Sequence, residues 1–267
     1  MPPNESEATL EQPVTPPLRV ASRAELARGL ADRGLDPDRL LDGYREWRLA
    51  HGYLEADPVS GIHAGESPAA QYRAMDPELR KTLADAGDLG ALQAQAEASL
   101  PRDPFTALDA YGKASRLGSA GAMEQIAAIY ASGNESLRKA TPDDDLRQQA
   151  AAWALAAIRQ YGPAVATDRL LGIAAYLEEA DPAVVAAACA RSLAIMVDIN
   201  VATSTSGRPS GNGQPPVFLT EPDLYDRLPC RDTPAPVTPP RGLADCKATP
   251  AVGAGDRPME LWVCDGG

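Results

Sequence analysis

Apolar residues recur at helical spacing through the middle of the chain, between stretches that are rich in proline. The longest regular stripe occupies positions i, i+4, i+7 and i+11 and consists of Leu40, Tyr44, Trp47 and His51. This spacing is typical of one face of an α-helix. The pattern therefore predicts helices in the centre of the chain and extended flanks on either side.

Helix starts and stops are marked along residues 22–200. Ser22 and Glu25 form a capping box, and an Asp-Pro or Thr-Pro pair opens four further helices. Glycine follows most of them, because it adopts the positive φ of a helix end without strain. Helices are predicted at residues 22–34, 37–51, 77–87, 89–100, 104–118, 120–132, 142–158, 163–179 and 182–199, with a loop at 53–68. Their short connections favour an all-α array of antiparallel helix pairs, similar to an α-solenoid.

The flanks differ from this centre in composition. Residues 1–21 are predicted to be a disordered, proline-rich tether, and residues 201–267 a flexible linker followed by a cysteine-containing tail. Two runs in the tail, PVFLT and MELWVC, have the length of strands. They indicate a small β-hairpin or a cap held by disulfides.

The four cysteines are Cys189, on the last predicted helix, and Cys230, Cys246 and Cys264 in the tail. Weakly cored segments often rely on disulfides in oxidising compartments, so we expect all four to be disulfide-bonded and the protein to be periplasmic or secreted. Three pairings are possible. We favour Cys189–Cys264 with Cys230–Cys246, which would fasten the tail to the last helix along a seam buried by Trp262.

Two alternatives to disulfide bonds remain for the cysteines. They could be free, buried thiols of a cytoplasmic protein. A metal site is disfavoured, because the chain has no CxxC pair and its two histidines, His51 and His63, lie far from the cysteines in sequence. We therefore expect neither a metal nor a cofactor.

The net charge and the hydropathy of the chain argue against two classes of partner, nucleic acids and membranes. The formal net charge of -12 would repel phosphate backbones, and no basic run offsets it, so nucleic acid is not expected as a partner. No apolar run approaches the roughly 20 residues of a membrane-spanning helix, and no transmembrane segment is expected. The first residues lack the features of a signal peptide, which fits a cytosolic N-terminus or a mature segment behind an added Met1.

The segment 107–133 carries the most specific pattern. Small, apolar and aromatic residues stand at i, i+4, i+5, i+8 and i+11 in its second helix: Ala122, Ile126, Ala127, Tyr130 and Gly133. This order resembles the second helix of Sel-one-like repeats, a bacterial branch of the tetratricopeptide-type helical repeats. The preceding helix, with Ala107, Tyr111 and Ala114, resembles the first half of that unit. Partial echoes extend the resemblance over residues 68–180.

The resemblance implies a scaffold or adaptor surface, often outside the bacterial cytoplasm, and no catalytic residues. An alanine-rich helical bundle without repeats would also produce much of this pattern. We expect a protein- or peptide-binding module, with a concave groove lined by first helices of successive pairs. The candidate groove residues are Tyr111, Trp153, Tyr44 and Trp47.

Two alternative functions remain. The chain lacks GxSxG, HExxH and P-loop motifs, but His63 lies in the long internal loop and His51 follows an aromatic stripe. Either histidine could serve a hydrolase acting on an envelope polymer if folding brought a carboxylate close. A structural envelope lipoprotein, tethered through the N-terminal segment, is the second alternative.

Overall fold

The computed structural model describes residues 18–19, 22–55, 57, 59, 61, 67–165, 168–206, 214–222, 229–230, 245–253 and 256–264. The helices within these ranges are α1 Arg23–Ala31, α2 Pro37–Ala50, α3 Pro68–Ala74, α4 Pro77–Asp85, α5 Leu89–Ser99, α6 Pro104–Arg116, α7 Ala120–Ala131, α8 Glu135–Ala140, α9 Asp143–Tyr161, α10 Asp168–Ala175 and α11 Pro182–Ser206. The strands are β1 Leu18–Arg19, β2 Val217–Thr220, β3 Cys246–Val252 and β4 Pro258–Cys264.

The predicted helix starts and stops are confirmed where polar caps mark them. The carboxylates of Asp36, Asp76 and Asp103 accept hydrogen bonds from backbone N–H groups in the first turns of α2, α4 and α6. Each cap satisfies donors that the first helical turn cannot pair internally. Gly87 and Gly118 follow α4 and α6 with φ of 82° and 93°, as helix-ending glycines do.

Other helical segments differ from the prediction. The helix expected at 163–179 is divided into a 3₁₀ turn at Pro163–Val165, helix α10 and a second 3₁₀ turn at Tyr176–Glu178. Helix α11 continues to Ser206, so the first residues of the predicted linker are helical. The Ser204 and Thr205 hydroxyls donate to backbone carbonyls of the preceding turn, which lets polar residues continue this helix.

The helices pack in succession around an alanine-rich interior. Helix α5 lies against α4 and α6, α7 lies against α6 and α9, and α9 also contacts α10 and α11. Every residue from Ala154 to Ile158 on α9 is fully buried. Small side chains on all sides of α9 allow several neighbouring helices to approach it closely.

Within the described ranges the sheet has four strands and is larger than the predicted hairpin. Strand β3 was not predicted because its sequence shows little alternation of apolar and polar residues. Its strand order is β1-β3-β4-β2, with β2, β3 and β4 antiparallel and β1 parallel to β3. The sheet packs on α1 and α2 through a cluster that includes Leu26, Leu30, Leu41, Val217 and Leu261. Strand β1 belongs to the segment predicted as a tether, whereas residues 1–17 and 207–213 lie outside the described ranges.

The structure joins Cys189 to Cys230 and Cys246 to Cys264, so the favoured pairing was wrong. The reason is strand register, since Cys246 lies directly opposite Cys264 on paired strands. Cys230 instead packs against the cluster of Leu177 and Ala188, and Ala188 immediately precedes Cys189 in the chain. A disulfide does fasten the tail to the last helix, but Trp262 stays within the sheet, stacked on Phe218.

Helix α11 also corrects the hydropathy analysis. The segment Pro182–Thr205 has a mean hydropathy of 1.7 and is long and apolar enough to cross a membrane by length and composition. One such helix is weak evidence for a membrane protein. Helix α11 packs against α9 and carries both Arg191 and Asp198. No clear transmembrane segment is therefore seen in the described part of the chain.

A buried junction connects the end of α2 to α5 and α7. The Gly121 N–H donates to the carbonyl oxygen of His51 at 3.1 Å, and Gln93 Nε2 donates to the carbonyl oxygen of Gly52 at 2.9 Å. Gln93 also donates to the Ser119 hydroxyl, which caps α7. Backbone contacts this close leave no room for a side chain at Gly121, where a Cβ would lie 2.5 Å from the Gly52 oxygen.

Gly121→Ala is expected to lower the free energy of unfolding by about 2–3 kcal/mol, because the added methyl group would push α7 away from the end of α2. The matched control is Gly112→Ala on α6, where nothing lies within 4 Å of an added Cβ. That change should instead raise the free energy of unfolding by about 0.5–1 kcal/mol, since alanine favours the helix. Urea unfolding measures both; equal effects would contradict the junction geometry.

Candidate functional site

A groove of about 470 Å³ lies between α6 and α11, and Trp153 of α9 forms part of its lining. Leu108, Ile195 and Ile199 supply further apolar surface, and Gly112 leaves the α6 wall open. We call this the α6–α11 groove. Its volume falls within the roughly 300–1,000 Å³ of typical ligand-binding clefts.

Charged side chains line both walls of the α6–α11 groove. Arg116 of α6 and Asp198 of α11 form an ion pair across it, with Nε and Oδ2 2.9 Å apart. Asp109 pairs with Lys113 along α6 at 2.8 Å. All four side chains are more than half exposed, so these pairs contribute little to stability.

Arg191 is the remaining charge of the groove lining. It forms no ion pair with a carboxylate within the described ranges. The Arg191 charge acts on Tyr130: burial raises the pKa of the Tyr130 phenol, and the Arg191 charge opposes that rise. The groove thus combines an apolar lining with a cation that is available to an acidic group.

The structure does not bring the four predicted groove residues together. Trp153 alone lines the α6–α11 groove, where it packs between the two largest core clusters. Tyr111 is only 2% exposed and belongs to the core. Tyr44 packs beside the sheet, and Trp47 is buried with Tyr53 in one of the clusters that Trp153 packs against. Neither Tyr44 nor Trp47 lines the α6–α11 groove.

Tyr44 instead belongs to a buried polar cluster at the C-terminal half of α2. The Arg48 guanidinium lies over the rings of Tyr44 and Tyr53, at 5.8 Å and 4.6 Å from their centroids. Arg48 Nε is 3.4 Å from Asp57 Oδ2. Burial raises the phenol pKa of both tyrosines. Because Arg48 contacts both tyrosine rings and the Asp57 carboxylate, it connects α2 to the segment that follows it and stabilises that segment.

The histidines offer little support for the enzyme alternative. His51 is 4% exposed, with its ring stacked on Trp47 at 4.2 Å and its edge against Tyr161. Its Nδ1 lies 2.7 Å from the carbonyl oxygen of Trp47. These contacts place His51 in the core. His63 lies outside the described ranges.

A second, more open depression of about 580 Å³ lies where the end of α5 meets α7 and α10. Its lining includes Leu100, Ile129, Ile173 and Arg169. The residues described in its lining include no large aromatic and no acidic side chain. Where the chain is described, no group of three or more His, Cys, Asp or Glu residues is placed to hold a metal ion.

Sequence reasoning missed most of the α6–α11 groove. Arg191, Ile195 and Asp198 were expected on the last helix, but no pattern showed that this helix would lie beside α6. The Arg116–Asp198 pair joins residues far apart in sequence, and neither residue belongs to a recognisable motif. Only Trp153 had a detectable signal, as a large aromatic residue in an alanine-rich helix.

Comparison with known proteins found no match: no protein-family model, curated protein or solved structure is significantly similar to this chain.

Proposed function

We propose that the protein is a protein- or peptide-binding scaffold and that the α6–α11 groove receives a segment of its partner. The observation that carries this proposal is the groove itself, in which Trp153 and aliphatic side chains lie between walls that carry exposed charged side chains. Aromatic residues and arginine contribute strongly to binding when they are surrounded by a polar rim. The preferred ligand is a short segment with an apolar anchor and a carboxylate for Arg191.

The sequence resemblance to Sel-one-like repeats supports the same function. We propose that the pairs α4–α5 and α6–α7 are repeat units. A glycine with positive φ joins the two helices of each pair, Gly87 in the first and Gly118 in the second, and Gly133 follows α7. In such arrays a unit buries its apolar face against its neighbours and leaves an extended surface for partners. The groove between α6 and α11 belongs to a surface of this kind.

The two disulfides point to an oxidising, non-cytoplasmic environment. We propose that this environment is the bacterial periplasm or the cell exterior, and that the scaffold acts in the cell envelope. The partner would then be an envelope protein or a peptide released from one.

Selection of peptides from a displayed library against the oxidised full chain tests the groove. The discriminating variant is Gly112→Arg, which introduces a large side chain into the groove from a position with open space around it. We expect it to weaken binding of selected peptides at least about tenfold, because the arginine competes for the apolar lining.

The matched control is Gly172→Arg on α10, where an added Cβ also meets nothing within 4 Å. Gly172 does not line the α6–α11 groove, so this variant should bind the peptides as the unmodified chain does. Equal affinity of both variants would place the peptide site elsewhere, and failure to select any peptide would count against the proposed function.

A further inference from the structure

The depression between the end of α5, helix α7 and helix α10 combines an apolar surface with polar groups. We call it the α7–α10 depression. Ile129 of α7 is only 4% exposed, and the partly buried Leu100 and Ile173 extend the apolar surface beside it. Its volume of about 580 Å³ is large enough for a small ligand. None of its described lining residues belongs to the α6–α11 groove, so the two sites can be tested separately.

Arg169 supplies a positive charge to the α7–α10 depression. Its side chain is exposed, and its guanidinium forms no hydrogen bond or ion pair with another residue of the described ranges. Arg169 is the second residue of α10, and a positive charge in the first turn of a helix is unfavourable because the helix dipole is positive there. The described lining residues include no carboxylate that would offset it. An external carboxylate is therefore the partner that this position favours.

Two amide side chains add hydrogen-bonding groups to the same depression. Gln125 is partly buried and its amide has no partner among the described residues, so it offers both a donor and an acceptor. Asn134 Oδ1 accepts hydrogen bonds from the N–H groups of Ser136 and Leu137, at 2.9 Å and 3.4 Å, which leaves its amino group as a donor. A peptide group, which also has one donor and one acceptor, matches Gln125.

The spacing along each helix places a polar residue beside an apolar one. Gln125 and Ile129 lie four residues apart on α7, as Arg169 and Ile173 do on α10, so each pair shares one face of its helix. The last residue of a peptide carries its α-carboxylate and its side chain on one carbon atom. We propose that the α7–α10 depression binds the C-terminal residue of a peptide or protein. Its carboxylate accepts hydrogen bonds from Arg169, its apolar side chain packs on the two isoleucines, and Gln125 pairs with its peptide group.

A fatty acid has the same two parts, a carboxylate and an apolar body, but fits less well. The exposed residues Pro101, Ala131 and Ser132 leave the depression open to solvent, so a long acyl chain would keep much of its surface in water. An acyl chain would also cover Gln125 without giving its amide a partner, and burying an unpaired polar group is unfavourable. A peptide end avoids both costs, because only one apolar side chain needs cover and its amide pairs with Gln125.

Nuclear magnetic resonance titration of the ¹⁵N-labelled, oxidised full chain at neutral pH tests this site. The probe is acetyl-Gly-Gly-Leu with a free carboxylate. We expect it to shift the amide signals of residues 125–134 and 169–173 with a dissociation constant on the order of 1 mM. The same peptide with an amidated C-terminus should bind at least about fivefold more weakly, since it has no charge for Arg169. Acetyl-Gly-Gly-Gly, which lacks the apolar side chain, should also bind at least about fivefold more weakly.

Arg169→Gln is the discriminating variant. It should weaken binding of the free-acid peptide at least about fivefold and make the free-acid and amidated peptides bind equally. Because the Arg169 side chain is exposed and bonds to no described residue, the variant should fold normally. The matched control is Arg28→Gln, the same change at an exposed residue of α1, which should bind the free-acid peptide as the unmodified chain does. Gly112→Arg should do the same, so this site and the α6–α11 groove can fail independently.

Three results would overturn the proposal: no shifts at residues 125–134 and 169–173 up to about 20 mM free-acid peptide, equal affinity of the free-acid and amidated peptides, or unchanged binding by Arg169→Gln. Shifts confined to the α6–α11 groove would overturn it as well. Sodium decanoate is the comparison ligand; if decanoate shifted these signals and the peptide did not, the site would belong to a fatty acid. A preference for the free acid that disappears only in Arg169→Gln would establish recognition of the C-terminal residue.

Discussion

Tyr111→Ala should lower the free energy of unfolding by about 3–5 kcal/mol, the usual cost of removing a large aromatic side chain from a core. Tyr111 is 2% exposed and packs among the helices α5, α6 and α7 in a cluster with Leu92, Ile126 and Ile129. Its removal would leave a cavity between helices that are held mainly by small side chains. Urea unfolding monitored by far-UV circular dichroism gives the difference.

The matched control for this prediction is Tyr111→Phe, which keeps the ring and should cost less than about 1.5 kcal/mol. If Tyr111→Ala were as stable as Tyr111→Phe, Tyr111 could not occupy the core. Binding assays depend on this result, since an unstable Tyr111→Ala variant would lose its partners without any role of Tyr111 in the groove.

Removing the Cys189–Cys230 disulfide should lower the free energy of unfolding by about 4 kcal/mol in the loop-entropy description. The bond spans 41 residues of sequence, so it restricts the unfolded chain more than the Cys246–Cys264 bond, which spans 18. The double variant Cys189→Ala with Cys230→Ala gives the effect directly. Cys246→Ala with Cys264→Ala should cost less, about 3 kcal/mol.

Peptide mapping without reduction provides the structural check on the disulfide prediction. It should recover Cys189 linked to Cys230 and Cys246 linked to Cys264 from the purified protein. Recovery of Cys189 linked to Cys264 would contradict the strand register of β3 and β4. Four free thiols in protein from its native compartment would contradict the oxidising environment as well.

Local signals in the sequence predicted the helices well where capping residues set their limits. Asp76 and Asp103 mark helix starts through their own side-chain hydrogen bonds, which depend on neighbours within three residues. Helices α3 and α8 were missed because seven and six residues are too few to show a helical period. Their caps, Ser67 and Asn134, were the available signals.

Long-range contacts could not be derived in the same way. The disulfide pairing depended on β3, whose sequence CKATPAV gives little indication of a strand, and on its register with β4. The position of Tyr111 depended on which face of α6 meets α5 and α7. Periodicity identified that face as apolar but could not distinguish a core from a groove. The contact between α6 and α11 likewise follows from tertiary packing alone.

Site-specific photo-cross-linking tests most directly whether the α6–α11 groove binds a peptide segment. A benzophenone amino acid at Asp109, on the rim of the groove, should cross-link a selected peptide. The same group at Asp85, an exposed residue of α4 outside the groove lining, should not. Cross-linking at Asp109 that disappears in the Gly112→Arg background is the result predicted here; equal cross-linking at Asp109 and Asp85, or none at Asp109 under saturating peptide, would contradict it.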